Sequence, residues 1–311
     1  MSAPAFAAVD WGTSRIRVYL MDRAGAVLRE RRSDDGMASA GGRFGDILES
    51  HLAALQAPEN LPVIVCGMAG ARGGWVEAPY VPTPASLTDL FDGAVHVPHP
   101  PRPVRILPGV AQHGAEPNVM RGEETKLAGV SHRLEGAASV VCMPGTHAKW
   151  VEAGNAAIRR FDTFLTGELF AVLSRHSLLA RTLGADEHRV DPENEAFRRA
   201  VRQALTDGGL VGRLFSIRAA SLLAGLSAQD AAATLSGLLI GSEIFSARSR
   251  FVTGTAPVLL VATGGLAALY AAALEMAGIA HRTVDADEAV LRGLFEAAHH
   301  LLGDALEEAH A

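Results

Sequence analysis

Lysine is almost missing from this chain: of 28 basic residues only Lys126 and Lys149 are lysines, against 26 arginines. Cysteine is as scarce. Cys66 and Cys142 each end a valine-rich stretch, VIVCG and SVVCM, which reads as two reduced, buried thiols and excludes a disulfide framework. The 12 histidines are scattered without metal-ligand spacing, so no zinc site is expected. No apolar run approaches the ~18 residues needed to span a bilayer, and the longest candidate, LAALYAAALEMAGIA, is interrupted by Glu275. With a net charge of −6 and no basic stripe, neither nucleic acid nor a membrane is expected as a partner. The N-terminus lacks a basic segment before an apolar core and meets Asp10 early, so no signal peptide is read and a cytoplasmic location is expected.

What is present suits a globular protein of two domains: 311 residues, 49% hydrophobic and 20% charged. FAAVDWGTSRIRVYL (6–20) starts as an apolar run, reaches Asp10 and turns through Gly12-Thr13-Ser14. It then alternates, with Arg15, Arg17 and Tyr19 on one side and Ile16, Val18 and Leu20 on the other, the period of a half-buried strand. A second turn at Asp22–Gly25 leads into a third strand, AVLRERR. A glycine loop that feeds a strand has no helix N-terminus to seat phosphate, which disfavours both the P-loop and the dinucleotide fingerprint. The pattern is instead a β-hairpin whose tip offers backbone N–H groups and the hydroxyls of Thr13 and Ser14, with Arg15 next in line. Asp10 stands at the strand end, able to hold a hydrated Mg²⁺.

Residues 138–163 repeat this design. ASVVCMPGTHAKWVEAGNAAIRRF is an apolar strand, a Gly145-Thr146 turn, an alternating strand, a Gly-Asn turn and a third strand, 133 residues after Gly12-Thr13. Each half then continues as helix, strand, helix, strand, with a helical insertion in the second. The fold class expected is α/β, in two domains of residues 1–120 and 121–311, crossing near 115–135, with the last helix placed to pack back on the first domain. Two such hairpin tips can grip one polyphosphate from opposite sides. Asp10 corresponds to Met143, so only the first tip brings a carboxylate for the metal.

Other polar blocks are candidates for chemistry. In MPGTHAKW, Thr146 and His147 can donate to phosphate oxygens and Lys149 adds a compact positive charge. In NVMRGEETKLAG, Glu123 and Glu124 open a helix, and either carboxylate can accept the proton of an attacking hydroxyl. In LTGEL, Thr166 and Glu168 stand at a helix start, where they face the substrate or Thr166 serves only as an N-cap. Gly264-Gly265, in VATGGLAAL, separate an apolar strand from a helix and let a flat adenosine lie against the backbone. The loop GMAGARGGWVEAPY, with Gly70, Arg72, Trp75 and Tyr80, has the composition of a close-fitting small-ligand site.

Laid out together, these blocks resemble the actin-like superfamily of sugar kinases, actin and heat-shock ATPases. VDWGTSRIRVYLMD looks like its first phosphate motif, MPGTHAKWV its second and LLVATGGLAALY its adenosine motif. Within that group, DWGTSRIRVYL, GMAGARGGW, NVMRGEETKLAG, MPGTHAKWV, TGEL and LSGLLIGSE resemble the 2-dehydro-3-deoxygalactonokinase family. The resemblance implies two RNase H-like domains facing across a nucleotide cleft. It also implies ATP- and Mg²⁺-dependent phosphorylation of 2-dehydro-3-deoxy-D-galactonate on its 6-hydroxyl, a cytoplasmic step of galactonate breakdown. Asp10 then matches the Mg²⁺-associated carboxylate. The second phosphate block, PGTH, lacks the aspartate many sugar kinases keep there, and Glu123 or Glu124 stands in for it. A keto acid brings a carboxylate, for which Arg72 is the first partner and Arg121 the second. Three other readings are weighed: an exopolyphosphatase-like hydrolase (GEET resembles its acidic motif), a kinase for another 2-keto-3-deoxy sugar acid, and a nucleotide-gated interaction protein. The oligomeric state is left open, a homodimer included.

Overall fold

The structure, a computed structural model, describes residues 3–99, 102–134, 138–184 and 189–308, with side chains as far as 303. The chain divides into two compact units. Unit 1 comprises Met1–Glu135, Gly154–Arg159 and Asp287–Ala311, and unit 2 comprises Gly136–Ala153 and Arg160–Ala286.

Unit 1 opens with the three strands read from the sequence, β1 (Phe6–Trp11), β2 (Ile16–Met21) and β3 (Val27–Ser33), then α1 (Met37–Ala40) and α2 (Phe44–Ala54). Next come β4 (Val63–Gly67), β5 (Tyr80–Pro82), β6 (Ala85–Ser86), α3 (Leu87–Asp92), β7 (Val95–Val97) and β8 (Val104–Ile106). The segment ends with β9 (Gly109–Gln112), β10 (Asn118–Met120) and α4 (Glu123–Val130). The main sheet has the order β3-β2-β1-β4-β8-β7, with β1, β4 and β8 parallel. β1 is apolar almost throughout because it is central, with neighbours on both sides. β3 is an exposed edge rich in Arg and Glu, a composition that discourages edge-to-edge pairing.

Two expectations are corrected here. β2 is not half-buried: Tyr19 is fully buried and Arg17 is largely covered, because the face carrying them also packs inside unit 1. The sequence also predicts a single strand over VRILPGV, and it is not one strand. It breaks at Leu107-Pro108, since proline has no N–H to give a ladder, and the chain leaves β8 for β9 in a separate three-stranded sheet, β10-β9-β5.

In unit 2, β11 (Ser139–Met143), β12 (Ala148–Gly154) and β13 (Ala157–Phe164) repeat the opening hairpins. The turn between β12 and β13 counts with unit 1, where Ala157 and Ile158 pair with Ser86 and Ala85 of β6. The helices α5 (Thr166–His176), α6 (Ala180–Leu183), α7 (Glu195–Asp207), α8 (Val211–Leu223) and α9 (Ala228–Phe251) follow. Then come β14 (Val258–Val261), α10 (Gly264–Met276) and β15 (His281–Val284), and last α11 (Ala286–Glu308), which rejoins unit 1 from Asp287 on. The unit 2 strands run in the order β15-β14-β11-β12-β13, with β14 parallel to both β11 and β15. Its core gathers Trp150, Phe197, Ile244, Phe251, Leu260 and Tyr270. Cys66 and Cys142 are both free and buried, as the sequence led us to expect.

Candidate active site

Unit 1 collects its carboxylates at the C-terminal ends of parallel strands, where open α/β sheets bind ligands. Asp10 on β1 sits in register with Arg17 on β2 and with Cys66 on β4. Its Oδ2 lies 3.7 Å from Arg17 Nη1, and Cys66 Sγ lies 3.9 Å from its Oδ1. Arg17 in turn donates to Asp287 of α11 (2.5 Å), which also meets Arg32 (3.5 Å). Burial pushes the Asp10 carboxyl above its ordinary range, although the positive charges of Lys126 and Arg17 pull it down. The hairpin tip is clamped from below. The amides of Met37 and Ala38 donate to the carbonyls of Gly12 (3.0 Å) and Thr13 (2.9 Å), leaving Thr13, Ser14 and Arg15 exposed.

The two candidate bases differ. Gly122, at φ +103°, turns the chain into α4 within van der Waals reach of Gly67, at the end of β4. Glu123 is partly exposed, and its Oε2 accepts from the amide of Arg121 (3.1 Å). Glu124 is 2% exposed, its two oxygens accepting from the Gly122 amide at 2.7 and 2.8 Å. Burial first, and the charge of Glu123 second, push the Glu124 carboxyl up to about 7, against its backbone hydrogen bonds and Arg121. Glu124 and Asp10 both act electrostatically on Cys66, so the three groups form one neighbourhood. α4 is held there by backbone-to-backbone packing on α11: a Cβ on Gly129 would fall 1.9 Å from Ala289 O, and one on Gly293 would fall 1.8 Å from Thr125 O.

The loop after β4 is tightly built. The amides of Gly74, Trp75 and Ala78 donate to the carbonyls of Ala71, Ala69 and Gly70. The Trp75 indole stacks on Phe44 (6.3 Å between centroids, 8°) and meets His99 edge-on, so it braces the loop against the core. Arg121 donates to Ala78 O (2.7 Å), lies 4.4 Å from the Tyr80 ring centroid and touches Gly70. Its Nε and Nη1 are buried without an acceptor among the described residues. Arg72 is exposed.

Unit 2 builds a cavity of about 340 Å³. The β11–β12 tip gives it Gly145 and Thr146, α5 gives Thr166, Gly167 and Phe170, and α10 gives Leu266, Leu269 and Tyr270. Val190 and the α9 residues Ser236, Leu239 and Ile240 complete the wall. The second tip is clamped much as the first is: Glu168 N donates to Thr146 O (2.9 Å), and Gly167 lies so close that a Cβ would be 2.4 Å from Gly145 O. His147 pairs with Glu168 at 2.6 Å, both about half exposed. Lys149 is 3% exposed, and its Nζ donates to His147 O (3.0 Å), which ties its charge to the tip's own backbone. Gly264 and Gly265 open α10, with nothing within 4 Å of where their Cβ atoms would be, so this helix N-terminus is bare. The size and mostly apolar wall suit a nucleoside.

The profile of the 2-keto-3-deoxy-galactonokinase family matches residues 10–297. The chain belongs to that family. It is a carbohydrate kinase on the actin-like fold. It is 48% identical over 302 residues to the probable 2-dehydro-3-deoxygalactonokinase DgoK1 of Rhizobium meliloti (strain 1021), covering 96% of this chain and 97% of that one. To the 2-dehydro-3-deoxygalactonokinase of Escherichia coli (strain K12) it is 33% identical over 94% of this chain and 97% of that one. A crystal structure from Sinorhizobium meliloti described by the same enzyme name superposes with a TM-score of 0.89, at 47% identity over 94% of this chain and 98% of that one. The ADPNP-bound activator of 2-hydroxyisocaproyl-CoA dehydratase from Clostridium difficile shares the fold alone, at TM-score 0.55 and 10% identity over 98% of each chain.

The apolar cavity wall, Phe170, Val190, Leu239, Ile240 and Tyr270, carries no role in the sequence, because such residues look like any core. Glu243 stands there only as the last residue of LSGLLIGSE, with no role assigned, although a lone acid in the apolar run TLSGLLIGSEIF of α9 is a signal.

Proposed function

We propose that this chain transfers the γ-phosphoryl group of ATP to the 6-hydroxyl of 2-dehydro-3-deoxy-D-galactonate. The observation that carries the reading is the near full-length match to two proteins bearing that enzyme name, which spans every motif discussed above. In the reaction the bond from O6 to the γ-phosphorus forms, the bond to the bridging oxygen breaks, and ADP leaves with that electron pair. The hydroxyl proton needs an acceptor late in transfer. Glu124 takes it: a carboxyl raised to about 7, in the neighbourhood of Asp10, suits a base working at neutral pH. Glu123 helps to hold it at that level.

Among the described residues no three His, Cys, Asp or Glu side chains cluster into a metal cage. That fits Mg²⁺, which is commonly held by one or two carboxylates together with substrate phosphates. Asp10 would hold it, since a cation would favour the ionised form that burial disfavours. When bound, the ion neutralises phosphate charge. Thr13, Ser14, Thr146 and His147 bind phosphate oxygens, while Gly264 and Gly265 leave room for the nucleoside. Arg72 takes the substrate carboxylate, and Arg121 holds the loop that carries Arg72. The reaction runs in the cytoplasm, where ATP is supplied.

A coupled ADP-release assay across 2-keto-3-deoxy sugar acids tests the whole reading. The highest kcat/KM is expected for the galactonate-derived acid over its C4 epimer. Equal phosphate release with no acceptor present would replace the kinase with a hydrolase.

A further inference from the structure

Glu243 is a buried acid that the proposed chemistry does not use. It is 3% exposed, in the middle of α9, and three donors from three different elements converge on it. Trp150 Nε1, on β12, donates to Oε1 at 2.8 Å. Tyr270 Oη, on α10, donates to Oε2 at 2.6 Å, and Thr166 Oγ1, at the start of α5, donates to the same oxygen. Burial pushes the carboxyl up, and these three hydrogen bonds pull it back.

Thr166 and Tyr270 also line the 340 Å³ cavity, from opposite elements. Thr166 immediately precedes Gly167, the residue packed on the Gly145-Thr146 tip. An ionised carboxylate can only accept, so the two hydroxyls, which also lie within hydrogen-bonding reach of each other, turn their hydrogens to Glu243 and keep their oxygens as acceptors. We propose that Glu243 is a positioning residue for the nucleoside. It fixes the separation of α5 and α10 and presents the Thr166 and Tyr270 oxygens as acceptors for the ligand's donor groups. This rests on the reading that the unit 2 cavity holds the nucleoside of ATP.

Glutamine at 243 would break the arrangement while keeping its shape. A carboxamide has one acceptor oxygen, and Trp150, which can only donate, competes for it with the two hydroxyls. Whichever loses must turn its hydrogen elsewhere. Glu243→Gln is therefore expected to weaken ADP binding about tenfold, equivalent to about 1.4 kcal/mol. KM for the keto acid should stay within twofold. Tyr270→Phe keeps the ring and removes one donor, so it guards against an E243Q chain that does not fold. About fivefold weaker ADP binding is expected from it, again with the keto-acid KM unmoved.

The experiment is ADP titration by calorimetry on wild type, E243Q, Y270F and Gly145→Leu, with KM for both substrates and melting temperatures alongside. Gly145→Leu serves as a cavity block, because Gly145 lines the cavity and a Cβ there meets nothing within 4 Å. If the blocked variant binds ADP like wild type, the nucleoside is not in this cavity and the underlying reading fails. If the block abolishes binding while folded E243Q and Y270F retain wild-type ADP affinity, Glu243 is only a core residue and the proposal fails. A lowered melting temperature with unchanged ADP affinity counts the same way. A selective loss of ADP affinity supports it.

Discussion

The two Gly-Thr hairpins share a pattern and differ in what surrounds them. In each, a carbonyl of the tip accepts from the amides at a nearby helix start: Gly12 and Thr13 from α1, Thr146 from α5. In the first, Asp10 is in register with Arg17, and charge continues through Asp287 and Arg32. In the second, the same register opposes Met143 and Lys149, and Lys149 turns its amine onto the tip's own carbonyl. Beside that second tip lies an apolar cavity rather than a charge network. One scaffold therefore serves two chemistries. The strand–turn–strand geometry holds an exposed set of donors in place, and the residue two before the glycine decides whether a carboxylate or a thioether stands beside them.

The largest expected effect breaks the comparison on its charged side. Asp10→Asn should lower kcat by about 10³-fold with a melting temperature within a few degrees of wild type. Met143→Asp, its counterpart, should not restore it, because the second tip lies beside an apolar cavity and the Lys149 amine opposite Met143 is turned onto the His147 carbonyl. An Asp10→Asn enzyme of near wild-type rate in a steady-state assay would remove the asymmetry.

Glu124→Gln comes next, with kcat about 10²-fold lower, whereas Glu123→Gln should cost less than tenfold. The pH profile sharpens this. A base must be ionised, so kcat should rise as pH passes through about 7, and the E124Q residual rate should be flat across that range. The reverse ranking of the two variants would move the base to Glu123.

Stability should run the opposite way. The Glu124 carboxyl is raised in the fold from an ordinary 4.5 to about 7, so the folded protein binds the extra proton between those values. Its contribution is present in full below pH 4.5 and is lost as pH rises through 7. Urea midpoints for wild type should fall across that window relative to E124Q. A parallel pair of curves would show that the proton is not linked to folding. The site is thus least comfortable at the pH where it is most active, a familiar compromise at functional positions.

Glu168→Ala is expected to have the smallest effect. The His147–Glu168 pair is about half exposed on both sides, so its removal should cost at most ~1 kcal/mol and raise KM for ATP only a few-fold. Added salt should shrink even that difference.

Much of this was legible in the sequence wherever the signal is local. The hairpins announce themselves by a two-residue period and their turn glycines, and α4 and α5 begin where Glu123-Glu124 and Thr166-Gly167 suggested. What escaped depends on meetings between distant segments. Tyr19 on β2 looked solvent-facing, since nothing nearby in the sequence tells that both faces are covered. The GMAGARGGWVEAPY loop reads as a small-ligand site by composition, and nothing local tells that Phe44 and His99 lie against Trp75. The cavity wall comes from four separate helical and loop segments and the second tip, and no spacing rule joins them.

The pairing of Arg17 and Arg32 with Asp287 has a consequence for synthesis. Arg17 and Arg32 are made some 270 and 255 residues before Asp287. Unit 1 is assembled from segments on both sides of unit 2 in the chain. Until α11 is made, the two arginines have, among the described residues, only the nearby carboxylates of Asp10 and Glu30 as counter-charges, so the β1–β3 sheet completes its charge network only after unit 2 has been translated.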